Sequence, residues 1–245
     1  MFQAPRYAGA YSPWSTHVLQ RVTASLLSPH SYSPSDSSAS PPPFPSSPAE
    51  APPVIGQSTG FQLSINVTDP RHALYDRVNG NIFTGQRLSQ GVYMGIVRPR
   101  DANNGNANPF YFTASPSSHD PPANPATTTY MRTDVTNLYP MSAVVGEHAS
   151  EGEHHVALQT AQDGTPGLFY AQGADNIPVL AGPGAGTYVV CPRTIGAMDL
   201  LLVNYVYAGE AVPADCVPGT FVLLCAALPE TEWSREAKTV ACVKQ

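Results

Sequence analysis

From about residue 54 onward the chain is a succession of short apolar-rich runs cut by turn residues, and that rhythm narrows the folds open to it. FQLSINVT (61–68) alternates strictly, placing Phe61, Leu63, Ile65 and Val67 on one face of a strand. GVYMGIVRP (91–99), PFYFTAS (109–115) and TTYMRTDV (128–135) follow. HVALQTAQDGTPGLFYAQ (155–172) then reads as a hairpin turning at Asp163-Gly164. IPVLAG (177–182), TYVVCP (187–192), MDLLLVNYVYAG (198–209), TFVLLCAALP (220–229) and KTVACVK (238–244) bring the count to nine or ten strands. Within 200–207, Leu200 and Leu202 face one way and Leu201, Val203 and Tyr205 the other, so this strand is expected in the middle of a sheet. Only 12% of residues are charged, against 26 prolines and 19 glycines, a balance that suits strands and turns better than helices. The reading is an all-β domain over 54–245, an antiparallel two-sheet sandwich with the jelly roll among its forms.

Residues 1–53 form an N-terminal arm of a different character. Trp14, Val18, Val22 and Leu26 recur every fourth position, with Leu19 and Leu27 beside them, and Ser15 or Thr16 offers a cap. A short amphipathic helix is expected over about 15–27, packing either on its own domain or on a neighbour. The stretch 28–53 holds nine serines and nine prolines in 26 positions and lacks the apolar surface to offset the entropy of ordering itself. In a polyproline-like conformation it spans on the order of 80 Å. Pro41, Pro42, Pro43, Phe44 and Pro45 stand out within it, together with Trp14, Val18, Val22 and Leu26, as candidate partner-binding residues. The PxxP spacings at Pro42 to Pro45 and Pro45 to Pro48 lack the basic flank that an SH3-type groove favours.

Candidate chemistry thins out on inspection. Gly56-Gln57-Ser58-Thr59-Gly60 has the form of a nucleophile elbow, but that motif needs a strand before the serine and a helix after it. Here Pro52-Pro53 precedes it and an alternating strand follows. Glu147-His148-Ala149-Ser150-Glu151-Gly152-Glu153-His154-His155 is the densest titratable cluster, yet its spacing matches no metal pattern, and adjacent His154 and His155 on a strand face opposite ways. Gly182-Pro183-Gly184-Ala185-Gly186 resembles a phosphate loop only in composition: a strand follows it rather than a helix, which makes it a turn. Asp199 and Asn204 sit in an apolar run and call for buried partners. No catalytic residue, cofactor site or metal site is assigned, and the chain is read as no enzyme.

Net charge is −6, and the only lysines are Lys238 and Lys244. Ten arginines lie scattered, with no basic stripe able to displace the counterions of a nucleic acid, so no direct contact with DNA or RNA is expected. No apolar run approaches the ~20 residues of a membrane span. Gln20, Arg21 and Thr23 interrupt the one candidate signal region, so no secretion signal is read. Cys191, Cys216, Cys225 and Cys242 match no zinc spacing and are expected to be free thiols of a reducing compartment. Asn66-Val67-Thr68 has the form of an N-glycosylation acceptor, which has meaning only in a secreted chain.

Taken together, the sandwich, the low charge, the polar loops 98–109 and 115–128 and the extended arm resemble the surface (decoration or protrusion) proteins of non-enveloped icosahedral viruses. The resemblance implies a structural assembly protein on the virion surface, attached to a capsid shell protein through its arm and loops and assembled in the host cytoplasm. It also implies a homo-oligomer, a trimer on threefold positions. The competing expectation is a lectin-like module that binds carbohydrate or another ligand through Tyr130, Tyr139, Tyr170 and Trp233; exposure of these rings favours it and burial opposes it.

Overall fold

In a computed structural model of the chain, the described residues are 52–89, 91–100, 108–114, 129–134, 140–146, 152–160, 165, 168 and 170–245. The whole candidate partner-binding set, Trp14 to Leu26 and Pro41 to Pro45, lies outside them, as do most of both long polar loops and residues 147–151.

The described chain is nearly all β. Its strands are β1 (Ile55–Ser58), β2 (Gly60–Val67), β3 (Ile82–Ser89), β4 (Val92–Arg98), β5 (Phe110–Ala114), β6 (Thr129–Thr133) and β7 (Met141–Val145). There follow β8 (His154–Gln159), β9 (Tyr170–Gln172), β10 (Pro178–Leu180), β11 (Gly186–Ile195), β12 (Met198–Tyr207), β13 (Val217–Ala226) and β14 (Val240–Val243). A single four-residue helical turn, α1 (Tyr75–Val78), lies between β2 and β3. All fourteen strands belong to one hydrogen-bonded network, in the order β1-β14-β13-β11-β12-β4-β3-β2-β5-β6-β7-β8, with β10 joined to β13 and β9 to β10. Further pairings of β13 with β2 and of β8 with β12 and β4 return the path on itself. The pairings are antiparallel except that β14 runs parallel to β13. The sheet is therefore mixed and continuous, not two sheets bonded separately.

The alternation read from the sequence is the reason the core forms. Phe61, Leu63, Ile65 and Val67 of β2 are all buried, and they meet Phe221 and Leu223 of β13 in one large cluster. β12 is buried on both faces, as its sequence implied. Val203 and Tyr205 join the main core, while Leu202 packs with Met94, Ile96 and Ala157 in a second cluster on the other face. A chain of aromatic contacts crosses the main core. It links Phe61 to Phe112 at 4.8 Å, Phe83 to Phe221 at 5.6 Å, Phe221 to Tyr188 at 5.3 Å and Tyr188 to Tyr205 at 5.0 Å. The crossing is completed by Tyr205 to Tyr207 at 5.1 Å and Tyr207 to His154 at 4.7 Å, mostly edge-on, the geometry that ring quadrupoles favour.

Two expectations are corrected. β8 and β9 are not a hairpin: β9 pairs with β10, because β8 already has β7 on one edge and β12 and β4 on the other. The cysteines are not free thiols. Cys191 and Cys216 are bonded, as are Cys225 and Cys242, with Cα separations of 4.3 and 5.0 Å. The register is what joins them. The β11–β13 ladder ends at Val190↔Val217, one step before Cys191 and Cys216, and parallel pairing at Leu224↔Val243 sets Cys225 beside Cys242.

Candidate functional site

An open cleft with convergent polar groups lies under the loop 182–186, between β10 and β11. Glycine is required at Gly182 and Gly186 because the loop runs directly over Tyr205. A Cβ at either position would collide with that ring. The tyrosines in turn fasten the loop. Tyr205 donates its hydroxyl to the Gly184 carbonyl at 2.6 Å, and Tyr188 donates to the Ala181 carbonyl at 3.1 Å. Burial raises both phenols above their usual range, with Tyr207 adding to the effect at Tyr205 and the Tyr205 and Tyr207 phenols adding to it at Tyr188, so both remain neutral donors. The cleft that remains is about 260 Å³, lined by Leu180, Gly184, Thr187, Tyr205 and Thr220 among others. Tyr170 stands opposite Leu180 in the β9–β10 register and is 40% exposed, outside the lining of the cleft.

On the opposite face of β11 and β12 lies a charged cluster. Arg193 pairs with the buried carboxylate of Glu153 and with Asp215 at 2.5 Å, and its guanidinium also reaches Cys216 Sγ at 3.6 Å. The bond from Arg193 holds the Asp215 carboxyl below the usual carboxylate range. The stabilisation it carries is therefore present above that range and lost as pH falls through the lowered value. Glu153 and the two sulfurs have ligand atoms within 4.8 Å of one another, the spacing of a cation site. Their commitments say otherwise: the sulfurs are bonded to each other and Glu153 is held by Arg193. This is a structural staple.

His154 and His155 do face opposite ways. His154 lies against Tyr207 and pairs with Glu210 at 3.0 Å, whereas His155 Nδ1 meets Asn204 Oδ1. Asn204 is fully buried, and its Nδ2 has no partner among the described residues. Asp199 is exposed and accepts from Thr194 at 2.7 Å. Ser58 occupies a strand-to-strand bend, donating to the Ala226 carbonyl at 2.9 Å and accepting from the Gly60 amide at 3.2 Å. Of the rings expected to matter for ligand binding, Tyr170 and Trp233 are exposed, Tyr130 is half-buried and Tyr139 lies outside the described residues. The sequence reading found the turn at Gly182–Gly186 but missed the cleft beneath it. The missed signal was three closely spaced glycines preceding two strands that carry tyrosines.

Residues 58–225, well over half of the chain, match the family described as Domain of unknown function (DUF7907), and the chain belongs to that family. No curated protein and no solved structure matches it.

Proposed function

We propose that this member of the DUF7907 family is a non-catalytic binding module of an oxidising compartment, which takes a single-ring polar ligand of monosaccharide size into the cleft under Gly182–Gly186. The observation that carries the reading is the cleft itself: about 260 Å³, walled by glycine backbone and by Thr187, Tyr188, Tyr205 and Thr220. That volume lies just under the ~300–1,000 Å³ of drug-sized ligand sites, which sets the ligand at one ring. The compartment follows from the two disulfides, since such bonds persist where the surroundings are oxidising.

The reading is non-catalytic because groups that nucleophilic chemistry would use are committed to structure. Ser58 serves a bend, all four cysteines are bonded, and His155 is held by Asn204. The continuous strand network is read as a flattened sandwich whose two layers share strands, since one large core fills it. The capsid-surface reading, with its shell partner and trimeric assembly, takes second place. It stands on the arm, and nothing in the described domain favours it over the cleft.

The test is a titration of the full chain with a panel of monosaccharides, followed by amide chemical shifts of residues 182–188. A Cβ on Gly184 meets nothing closer than Tyr207 at 3.8 Å, so Gly184→Val should fill the cleft mouth and leave folding intact. Expected are saturable shifts in the parent that vanish in Gly184→Val at unchanged Tm. Shifts that persist in the variant, or none with any sugar, defeat the reading.

A further inference from the structure

We infer that Asn66 is an N-glycosylation site. Asn66-Val67-Thr68 is the only Asn-x-Ser/Thr sequence in the chain, and Val67 satisfies the exclusion of proline at its centre. Three observations give the motif meaning, and none depends on the cleft binding a ligand.

The first is orientation. On β2 the side chains of Phe61, Leu63, Ile65 and Val67 turn into the core, which turns Asn66 outward, and both Asn66 and Thr68 are exposed. The second is availability. The side-chain amide of Asn66 makes no hydrogen bond to any described residue, so replacing one of its protons with a sugar breaks nothing in the fold. Its neighbours carry the local structure instead: the Val67 amide donates to Asn79 Oδ1 at 3.0 Å and the Thr68 hydroxyl donates to the Pro218 carbonyl at 3.2 Å. The third is compartment. Asn66 pairs with Thr220 on β13, and the same strand carries Cys225, bonded to Cys242. Disulfides form along the secretory route, and that is the route on which an Asn-x-Ser/Thr acceptor is used.

The donor is an oligosaccharide carried on a lipid pyrophosphate. The amide nitrogen of Asn66 attacks the anomeric carbon, a C–N bond forms as the bond from that carbon to the pyrophosphate oxygen breaks, and the amide gives up one proton. The lipid pyrophosphate leaves with the electron pair, so no oxidant or reductant takes part.

The experiment uses the protein purified from its source. Its intact mass is measured before and after peptide-N-glycosidase, and its cysteines are counted by alkylation without reduction. The expected result is a heterogeneous excess mass that the enzyme removes, with Asn66 converted to Asp. Asn66→Gln and Thr68→Ala should each abolish the excess, and Thr68→Ser should retain it, so a folding defect in one variant does not decide the outcome. An unmodified Asn66 in protein whose disulfides are closed overturns the proposal. So does protein whose four cysteines all alkylate, because the compartment argument then fails as well.

Discussion

Tyr111, Tyr188 and Tyr205 bury phenol rings whose hydroxyls are donors in the folded state. Tyr111 donates to Asp134 at 2.7 Å, and Thr231 holds the other oxygen of that carboxylate, also at 2.7 Å. Burial, and for Tyr111 the adjoining carboxylate, raises all three phenols above 10.0. A folded value raised above the unfolded one means a contribution that is complete below the unfolded value and lost as pH climbs through the folded one. Stability should therefore hold up to about pH 10 and fall steeply beyond it. Absorbance at 295 nm together with circular dichroism should show part of the tyrosine ionisation arriving in step with unfolding. A single non-cooperative titration of all twelve tyrosines near pH 10, with the fold intact, defeats this. None of it was visible in the sequence, where tyrosines look alike whether they end in a core or on a loop.

Among the elements, those legible in advance are the ones whose pattern is local. β2 alternates and β12 is apolar on both faces, and each lies where its own residues place it. β3 was missed because only Ile82 and Phe83 lead it and the rest is half-buried or exposed; it is a strand through its register with β4, from Ile82↔Arg98 to Ser89↔Val92. β7 (Met141–Val145) also went unread, and the hairpin at Asp163-Gly164 was misread because edge occupancy is set by strands far away in sequence. The loop 182–186 falls between these cases. Its glycines announced a turn, but what makes Gly182 obligatory is Tyr205, 23 residues further on. Gly182→Ala should force that ring aside and cost roughly 1–3 kcal/mol, the usual penalty of overpacking. Gly184→Ala, whose Cβ would make only an ordinary van der Waals contact with Tyr207, should stay within about 0.5 kcal/mol of the parent. Thermal unfolding of the two variants side by side checks the pair, and equal losses would mean that the loop does not rest on Tyr205 as described.

For the whole molecule the decisive strand is β13. It pairs with β11, β2, β10 and β14, and each disulfide ties a neighbour to it or to the residue just before it. Cross-strand links around one hub restrict the unfolded chain without asking the folded one to change shape. They close segments with sequence separations of 25 and 17. Loops of that size are worth about 3 kcal/mol each if chain entropy is the main effect. In a domain of this size, removing one bond should then lower Tm by roughly 10 °C. Replacing Cys191 and Cys216 together by Ala, or Cys225 and Cys242 together, should give similar losses, and removing both bonds nearly their sum. Burial adds an order to the chemistry. Cys191, Cys216 and Cys242 are at most 3% exposed, whereas Cys225 is half-buried, so a small reductant acting on the native protein should open Cys225–Cys242 first. Mass spectrometry of timed alkylation reads that order directly. Simultaneous loss of both bonds at the rate of global unfolding would show instead that β13 never exposes its disulfides one at a time.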